Sequence, residues 1–442
     1  MAAARLPGRD HDAGGGVRLA AQVTGGMARA LQFGDLRRRI LFTAGMFAVF
    51  RLGAHIPVPD INGAVLAKLF ASNTFFGLLN LFAGGALGVF AVFAMSITPY
   101  INASIIMQLL QLVIPTVEEW SKEGPDGQKH INEWTRYGTV ILGVVQAIGL
   151  TYYLRANGGL LNNGIATMAL IVSVLVAGTV FLMWVGEQMT EYGIGNGISL
   201  LVMAGILSRL PAGLHTVYTY LVSGRITWWD LALFVALALI IIGGVVAMTL
   251  GMRRVPVQYA KRVVGRRMYG AQSTYIPIRV NQAGVIPVIF AASLLSMPLT
   301  LAQLSGAGWL KSVANFFQFN GVLYESVFAI LIIGFTFFYL SIVWNPVDIA
   351  DNIKKAGGFI PGYRPGRPTA EYLARVSERI TVMGAIFLAL VAVLPVMIGS
   401  ATNIPNVYFG GTALLIVVGV TLDTMSQVEG HMLMRQYQGF IR

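Results

Sequence analysis

Cysteine is absent from this 442-residue chain, which excludes disulfides, thiolate catalysis and cysteine-ligated metal sites. Charge is nearly as scarce. Lys, Arg, Asp and Glu make up 11% of the residues, against about 25% in an ordinary soluble domain, too few to cover a surface facing water. Hydrophobic residues reach 56%, so lipid must be the solvent and the chain is expected to sit in a bilayer. A phosphate-binding loop of the form G-x-x-x-x-G-K-[ST] is also missing. The glycines of Gly193-Ile194-Gly195-Asn196-Gly197 follow no strand pattern, which makes them weak as a nucleotide loop. ATP hydrolysis is therefore not expected, and energy for any work must come from a partner. The five histidines are scattered with no ligand spacing, so neither a metal nor a cofactor is expected.

Long charge-free runs are what remain: 40–50, 69–117, 137–154, 156–186, 192–208, 231–252, 280–310, 326–347 and 380–422. A helix needs about 20 apolar residues to cross a bilayer, so two runs are too long for a single crossing. The last breaks at Gly399-Ser400-Ala401-Thr402-Asn403-Ile404-Pro405 and yields two helices. Run 69–117 breaks at Gly84, Gly85 and Gly88, leaving Thr74–Ala83 as a segment too short to span. The pattern predicts an all-α polytopic membrane protein with ten helices. They fall near 37–54, 89–112, 137–154, 165–185, 197–210, 229–250, 282–302, 325–344, 379–398 and 408–426. Met1–Gly26 is poor in apolar residues and reads as a disordered arm, not a cleavable signal. An ordinary start follows at Met27, the expected natural first residue. N-terminal mass spectrometry of protein from its native source reads this directly, and an intact Met1 arm would sink the idea.

Basic residues set the orientation. With the N-terminus inside, the tails and even-numbered loops hold 25 of the 31 lysines and arginines, so both termini are expected to face the cytoplasm. Mid-span positions carry almost no ionisable side chains, whereas transporters and proton pumps need them there. Arg51, Arg209 and Asp423 fall near helix ends, where snorkelling is the simpler reading. A secondary transporter is thereby disfavoured. A lipid-handling enzyme is disfavoured because no His/Asp/Glu cluster suits catalysis.

Helix two contains Pro99-Tyr100-Ile101-Asn102-Ala103 and helix seven contains Pro287-Val288-Ile289-Phe290-Ala291. Both read P-x-I-x-A in oppositely directed helices, a hint of two inverted five-helix halves, here 27–222 and 223–442. More specific are Phe93-Ala94-Met95-Ser96-Ile97-Thr98-Pro99-Tyr100-Ile101-Asn102-Ala103-Ser104 and Gly186-Glu187-Gln188-Met189-Thr190-Glu191-Tyr192-Gly193-Ile194-Gly195-Asn196-Gly197-Ile198-Ser199. Shorter matches include Tyr259-Ala260-Lys261-Arg262, Asn345-Pro346 and Pro361-Gly362-Tyr363-Arg364-Pro365-Gly366. On these motifs the chain, from about Leu31 to Tyr437, resembles the SecY/Sec61-alpha family of protein-conducting channels.

The resemblance implies an hourglass pore pinched by aliphatic side chains, here Ile97, Ile101, Ile198, Val202, Ile289 and Ile416. Bare methyl groups offer ions no substitute for hydration, so such a ring tends to dewet, yet it deforms around a passing chain. The half-inserted segment would be a plug with Phe75, Phe76, Leu78, Leu79, Leu81 and Phe82 as its apolar filling and glycines as its hinge. Helices two and three against seven and eight would form a lateral gate, with Asn102, Gln108, Asn281 and Gln282 along the seam. The basic loops 251–281 and 345–378, with Arg266, Arg267 and Arg364, would dock the ribosome or the motor ATPase SecA. Implied partners are SecE, SecG, SecA, ribosomes, signal-bearing preproteins and anionic lipid. The implied setting is the bacterial cytoplasmic membrane.

Overall fold

The computed structural model of this chain describes residues 34–72, 80, 83–259, 262–264, 267–269, 273–305, 321–401 and 411–439. Its apolar runs become helices because a backbone in lipid must satisfy its own hydrogen bonds. In chain order these are α1 (Gly34–Gly53), α2 (Gly63–Ser72), α3 (Thr98–Val113), α4 (Pro115–Lys122), α5 (Pro125–Ala156), α6 (Ile165–Tyr192), α7 (Gly197–Val222) and α8 (Trp228–Leu250). Beyond a region of strands follow α9 (Ile286–Ser305), α10 (Val322–Val343), α11 (Pro346–Lys355), α12 (Arg367–Ala401) and α13 (Gly411–Gly439). Among the described residues, seven helical segments are long and apolar enough to cross a membrane. The pair α3 and α4, bent by 101°, makes an eighth if taken as one span.

Several expected boundaries move. The span placed at 89–112 is helical only from Thr98, because residues 83–97 form a string of tight turns. Left-handed backbone at Gly84, Gly85, Phe90 and Ser96 breaks the helix there. Ala83, Ala86, Leu87, Phe90 and Ala91 are all buried, so irregular backbone is tolerated inside protein where lipid would not accept it. Helix α7 runs on to Val222, well past the expected 210, through an internal Pro211. Helices α5 and α12 begin before their expected spans, at Pro125 and Arg367, since polar first turns continue them beyond the apolar stretch.

The N-terminal helices pack with α1 on α6 and α7, and with α3, α5, α6 and α7 each on the next. In the C-terminal set α9 packs on α10, α10 on α12, and α8 and α12 on α13. The two sets meet where α9 lies against α3 and α5, and where α13 lies against α7. Small residues permit the closest crossings. A Cβ on Gly178 of α6 would collide with the Val92 carbonyl oxygen, and one on Gly384 of α12 would come within 2.6 Å of the Val280 carbonyl oxygen.

The strands lie in the two long loops of the C-terminal set and depart from the all-α expectation, which describes the membrane body. Strand β1 (Met252–Tyr259) pairs antiparallel with β4 (Ser273–Arg279), from Met252 opposite Arg279 to Gln258 opposite Ser273. The short strands β2 (Arg262–Val264) and β3 (Arg267–Tyr269) form a hairpin between them. Strand β5 (Gly358–Phe359) comes from the next loop and pairs with the other edge of β1. Val255 and Val257 point inward while Arg254, Pro256 and Gln258 point out, the period of two that a half-buried strand requires. With Ile278 they join Ile353, Ile360 and Leu373 in a core separate from the membrane core. Loops 251–281 and 345–378 are thus one folded unit.

Candidate functional site: ring, seam and basic face

The glycine-rich motif is a tight connection, not a phosphate cradle. Helix α6 ends at Tyr192, and Asn196 caps α7 by accepting from the N–H groups of Ile198 and Ser199, each at 3.1 Å. Thr190 Oγ1 accepts from the Gly197 N–H at 2.9 Å. Helix α1 clasps the turn from the side, with Arg39 donating to the Gly193 carbonyl and Thr43 Oγ1 accepting from the Ile194 N–H. Side chains are excluded sterically: a Cβ on Gly197 would strike the Gly186 carbonyl oxygen, and Gly195 holds φ +80° against Thr424 of α13. This turn fixes where α7 starts, and therefore where Ile198 and Val202 point.

All six aliphatic ring candidates sit in one apolar core. Ile97, Ile101, Val202, Ile289 and Ile416 are buried in it and Ile198 packs against it. Ile97 precedes α3, while Ile289 and Ile416 come from α9 and α13 of the other set. Ile97 and Ile198 converge on Gly186: a Cβ there would stand 3.5 Å from the first and 3.1 Å from the second. The residues thus come from both helical sets and share one apolar core, with Ile97 and Ile198 brought to the same point beside Gly186.

Four polar side chains expected along the seam each carry a buried atom with no hydrogen-bond partner among the described residues: Asn102 Nδ2, Gln108 Oε1, Asn281 Oδ1 and Gln282 Oε1. Gln108 donates only to Ser104, one turn back, at 3.3 Å. Asn281 and Gln282 line a cavity with the start of α7 and the middle of α13. No hydrogen bond joins them to Asn102 or Gln108 among the described residues.

The candidate plug residues Phe75, Phe76, Leu78, Leu79, Leu81 and Phe82 lie outside the described residues. The turn behind them is described, and it holds two residues whose role sequence reasoning missed. Arg51 Nη1 donates to the Gly84 carbonyl at 3.0 Å, and Ser208 Oγ donates to the same oxygen at 3.1 Å. Buried Asn80 accepts from the Gly88 N–H at 2.8 Å. Arg51 therefore binds protein backbone where snorkelling was expected. An arginine at a helix end reads the same in sequence either way.

On the basic face, Arg364 is exposed in a turn flanked by Gly362 at φ +87° and Gly366 at φ +100°. Thr369 Oγ1 donates to the Arg364 carbonyl at 2.8 Å, and Tyr363 stacks on Tyr372 with ring centres 4.1 Å apart. Arg254 lies over the Tyr275 ring at 4.9 Å. Arg267 belongs to β3, and Arg266 lies outside the described residues.

A membrane-embedded bundle whose two helical sets share one apolar core, with a folded basic face, has the architecture of a polypeptide channel. It superposes on a solved protein-conducting channel with a TM-score of 0.64, at 19% identity over 89% of this chain and 91% of that one. It also superposes on Sec61 from a canine ribosome–channel complex with a TM-score of 0.60, at 18% identity over 89% of this chain. The SecY family model matches residues 91–425. Protein translocase subunit SecY of Halalkalibacterium halodurans is 46% identical over 430 residues, covering 94% of this chain and 99% of that protein. The Escherichia coli K12 subunit of the same name is 44% identical over 419 residues, covering 92% and 94%. The chain belongs to the SecY family.

Proposed function

We propose that this protein is the protein-conducting channel of a Sec translocon. It passes unfolded preproteins across the bacterial cytoplasmic membrane and releases apolar segments sideways into lipid. The observation that carries the reading is that Ile97, Ile101, Ile198, Val202, Ile289 and Ile416, drawn from both helical sets, lie in or against one apolar core. Such a core resists hydrated ions and yields to a chain of any sequence. The opening towards lipid is the seam where α9 meets α3 and α5, and Asn102 and Gln108, which make no hydrogen bond across it among the described residues, leave it without even the roughly 1 kcal/mol that one interhelical bond would add. No catalytic residue is needed. SecE and SecG complete the complex, and both termini lie in the cytoplasm with the basic face. Reconstituted vesicles containing the complex should import a signal-bearing preprotein when supplied with SecA and ATP; failure of import would overturn the reading.

The basic face receives the motor SecA or ribosomal RNA phosphates and touches anionic lipid at its margin. Arg364 on its pinned turn presents a planar donor fork that a lysine cannot reproduce. Arg364→Glu should cut import at least tenfold, a loss of about 1.4 kcal/mol or more by the usual conversion. Arg364→Lys should be intermediate. Membrane orientation should hold in both variants, because the lysine variant keeps all 25 inside basic residues and the glutamate variant keeps 24. Normal import by the glutamate variant would make Arg364 only a topology charge.

The segment 74–85 acts as the plug. A cysteine replacing Leu78, in this cysteine-free chain, should resist a bulky outside thiol reagent at rest and react once a preprotein is engaged. Equal labelling in both states would exclude a stopper that moves.

A further inference from the structure

Between the start of α7 and the middle of α13, on the side that carries the basic loops, lies a polar cavity of about 300 Å³. Its apolar floor includes Val285 and Val420, which belong to the same core as Ile289 and Ile416. Its walls are rich in acceptors. The Asp423 carboxylate lines it, and so do Asn281 and Gln282, whose Oδ1 and Oε1 are buried with no donor among the described residues. The Asn196 oxygen is occupied in capping α7. Among the described residues Arg279 is the one cationic side chain lining the cavity, and it is itself exposed. No ion pair joins Arg279 to Asp423 among the described residues. Asp423 and Arg279 are the opposite charges of the cavity lining, and Asp423 is the group there that attracts a cation at the threshold of the apolar core.

We propose that this cavity receives the basic group, a lysine ammonium or an arginine guanidinium, that precedes an apolar segment entering the channel. The inference rests on the channel reading above. An ammonium brings three donors and no acceptor, the complement of the Asp423 carboxylate that lines the cavity. Export signals place positive charge directly ahead of an apolar run. Seated here, the charge leaves that run facing the apolar floor and the ring beyond it. Asp423 thus selects for a basic start, and Arg279 competes for the same carboxylate.

The test uses the reconstituted complex and two preproteins identical except for two residues ahead of the apolar run, lysines in one and glutamates in the other. Asp423→Lys should slow import of the lysine preprotein at least fivefold while sparing or speeding the glutamate one. Arg279→Gln should act in the opposite sense and speed the lysine preprotein about twofold. A disulfide should also form between a cysteine replacing Gln427, which lines the cavity, and a cysteine beside the preprotein's lysines. If Asp423 serves only as the structural partner of Arg279, the two variants share one defect on both preproteins and the proposal falls. Absence of the cross-link during active import overturns it as well. Wild-type complex that imports neither preprotein would overturn the channel reading, and the proposal with it.

Discussion

Replacing Ile416 by asparagine is expected to raise ion leak through reconstituted vesicles by about an order of magnitude, the size of change a rewetted constriction allows. Ile416 is wholly buried in α13 among the ring candidates. An amide there removes branched methyl surface and introduces donors and acceptors that only water can satisfy. Leaving them dry would cost about 1–3 kcal/mol per group, so the closed state is destabilised relative to a hydrated one. Import of preproteins with weakened signals should rise in parallel, because less work is needed to part the ring. Ile289→Asn, from α9, should behave alike. Leak measured as dissipation of a potassium gradient checks the first effect, and import of a signal-defective preprotein checks the second. If neither rises in well-folded variants, these isoleucines are ordinary core residues and the ring lies elsewhere.

Gly197→Val should abolish assembly. The Cβ it adds would enter the Gly186 carbonyl oxygen and crowd Met189 and Thr190, all on a helix that cannot yield without losing its own hydrogen bonds. Overpacking of flexible side chains costs about 1–3 kcal/mol; a clash with backbone exceeds that range. Digestion by membrane proteases in the host, or early aggregation on heating in detergent, reports the loss. Gly63→Ala is the control, since nothing lies within 4 Å of a Cβ there, and it should leave assembly unchanged. Stable, folded Gly197→Val protein would show that the α6–α7 turn tolerates another geometry.

Much of this was legible in the chain. Charge-free runs marked most of the spans because the bilayer leaves so few alternatives for an apolar backbone, and motif residues led to the aliphatic candidates before any coordinates. Three features were not legible, each for a physical reason. The turns at 83–97 look helical because Leu87, Val89, Phe90 and Val92 are as apolar as a span; the burial of Leu87 and Phe90 depends on neighbours distant in sequence. The sheet was hidden because β5 is two residues long and its partner β1 lies about 100 residues earlier in the chain. Hydropathy also assigns Arg51 to the interface, where only the position of Gly84 shows that its donor has a backbone target. Local pattern found the elements; long-range contact decided their ends and their hydrogen bonds.

The shared sheet has a mechanical consequence. β1 leaves the end of α8, β4 leads towards α9, and β5 sits between α11 and α12, so one small core ties the ends of four helices. A push delivered to the tip at Arg364 is passed through Leu373 and Ile353 to Val255 and Ile278, and the C-terminal helices respond as a single lever. Compliance between the two helical sets is then left to the contacts where they meet, at α9 on α3 and α5 and at α13 on α7.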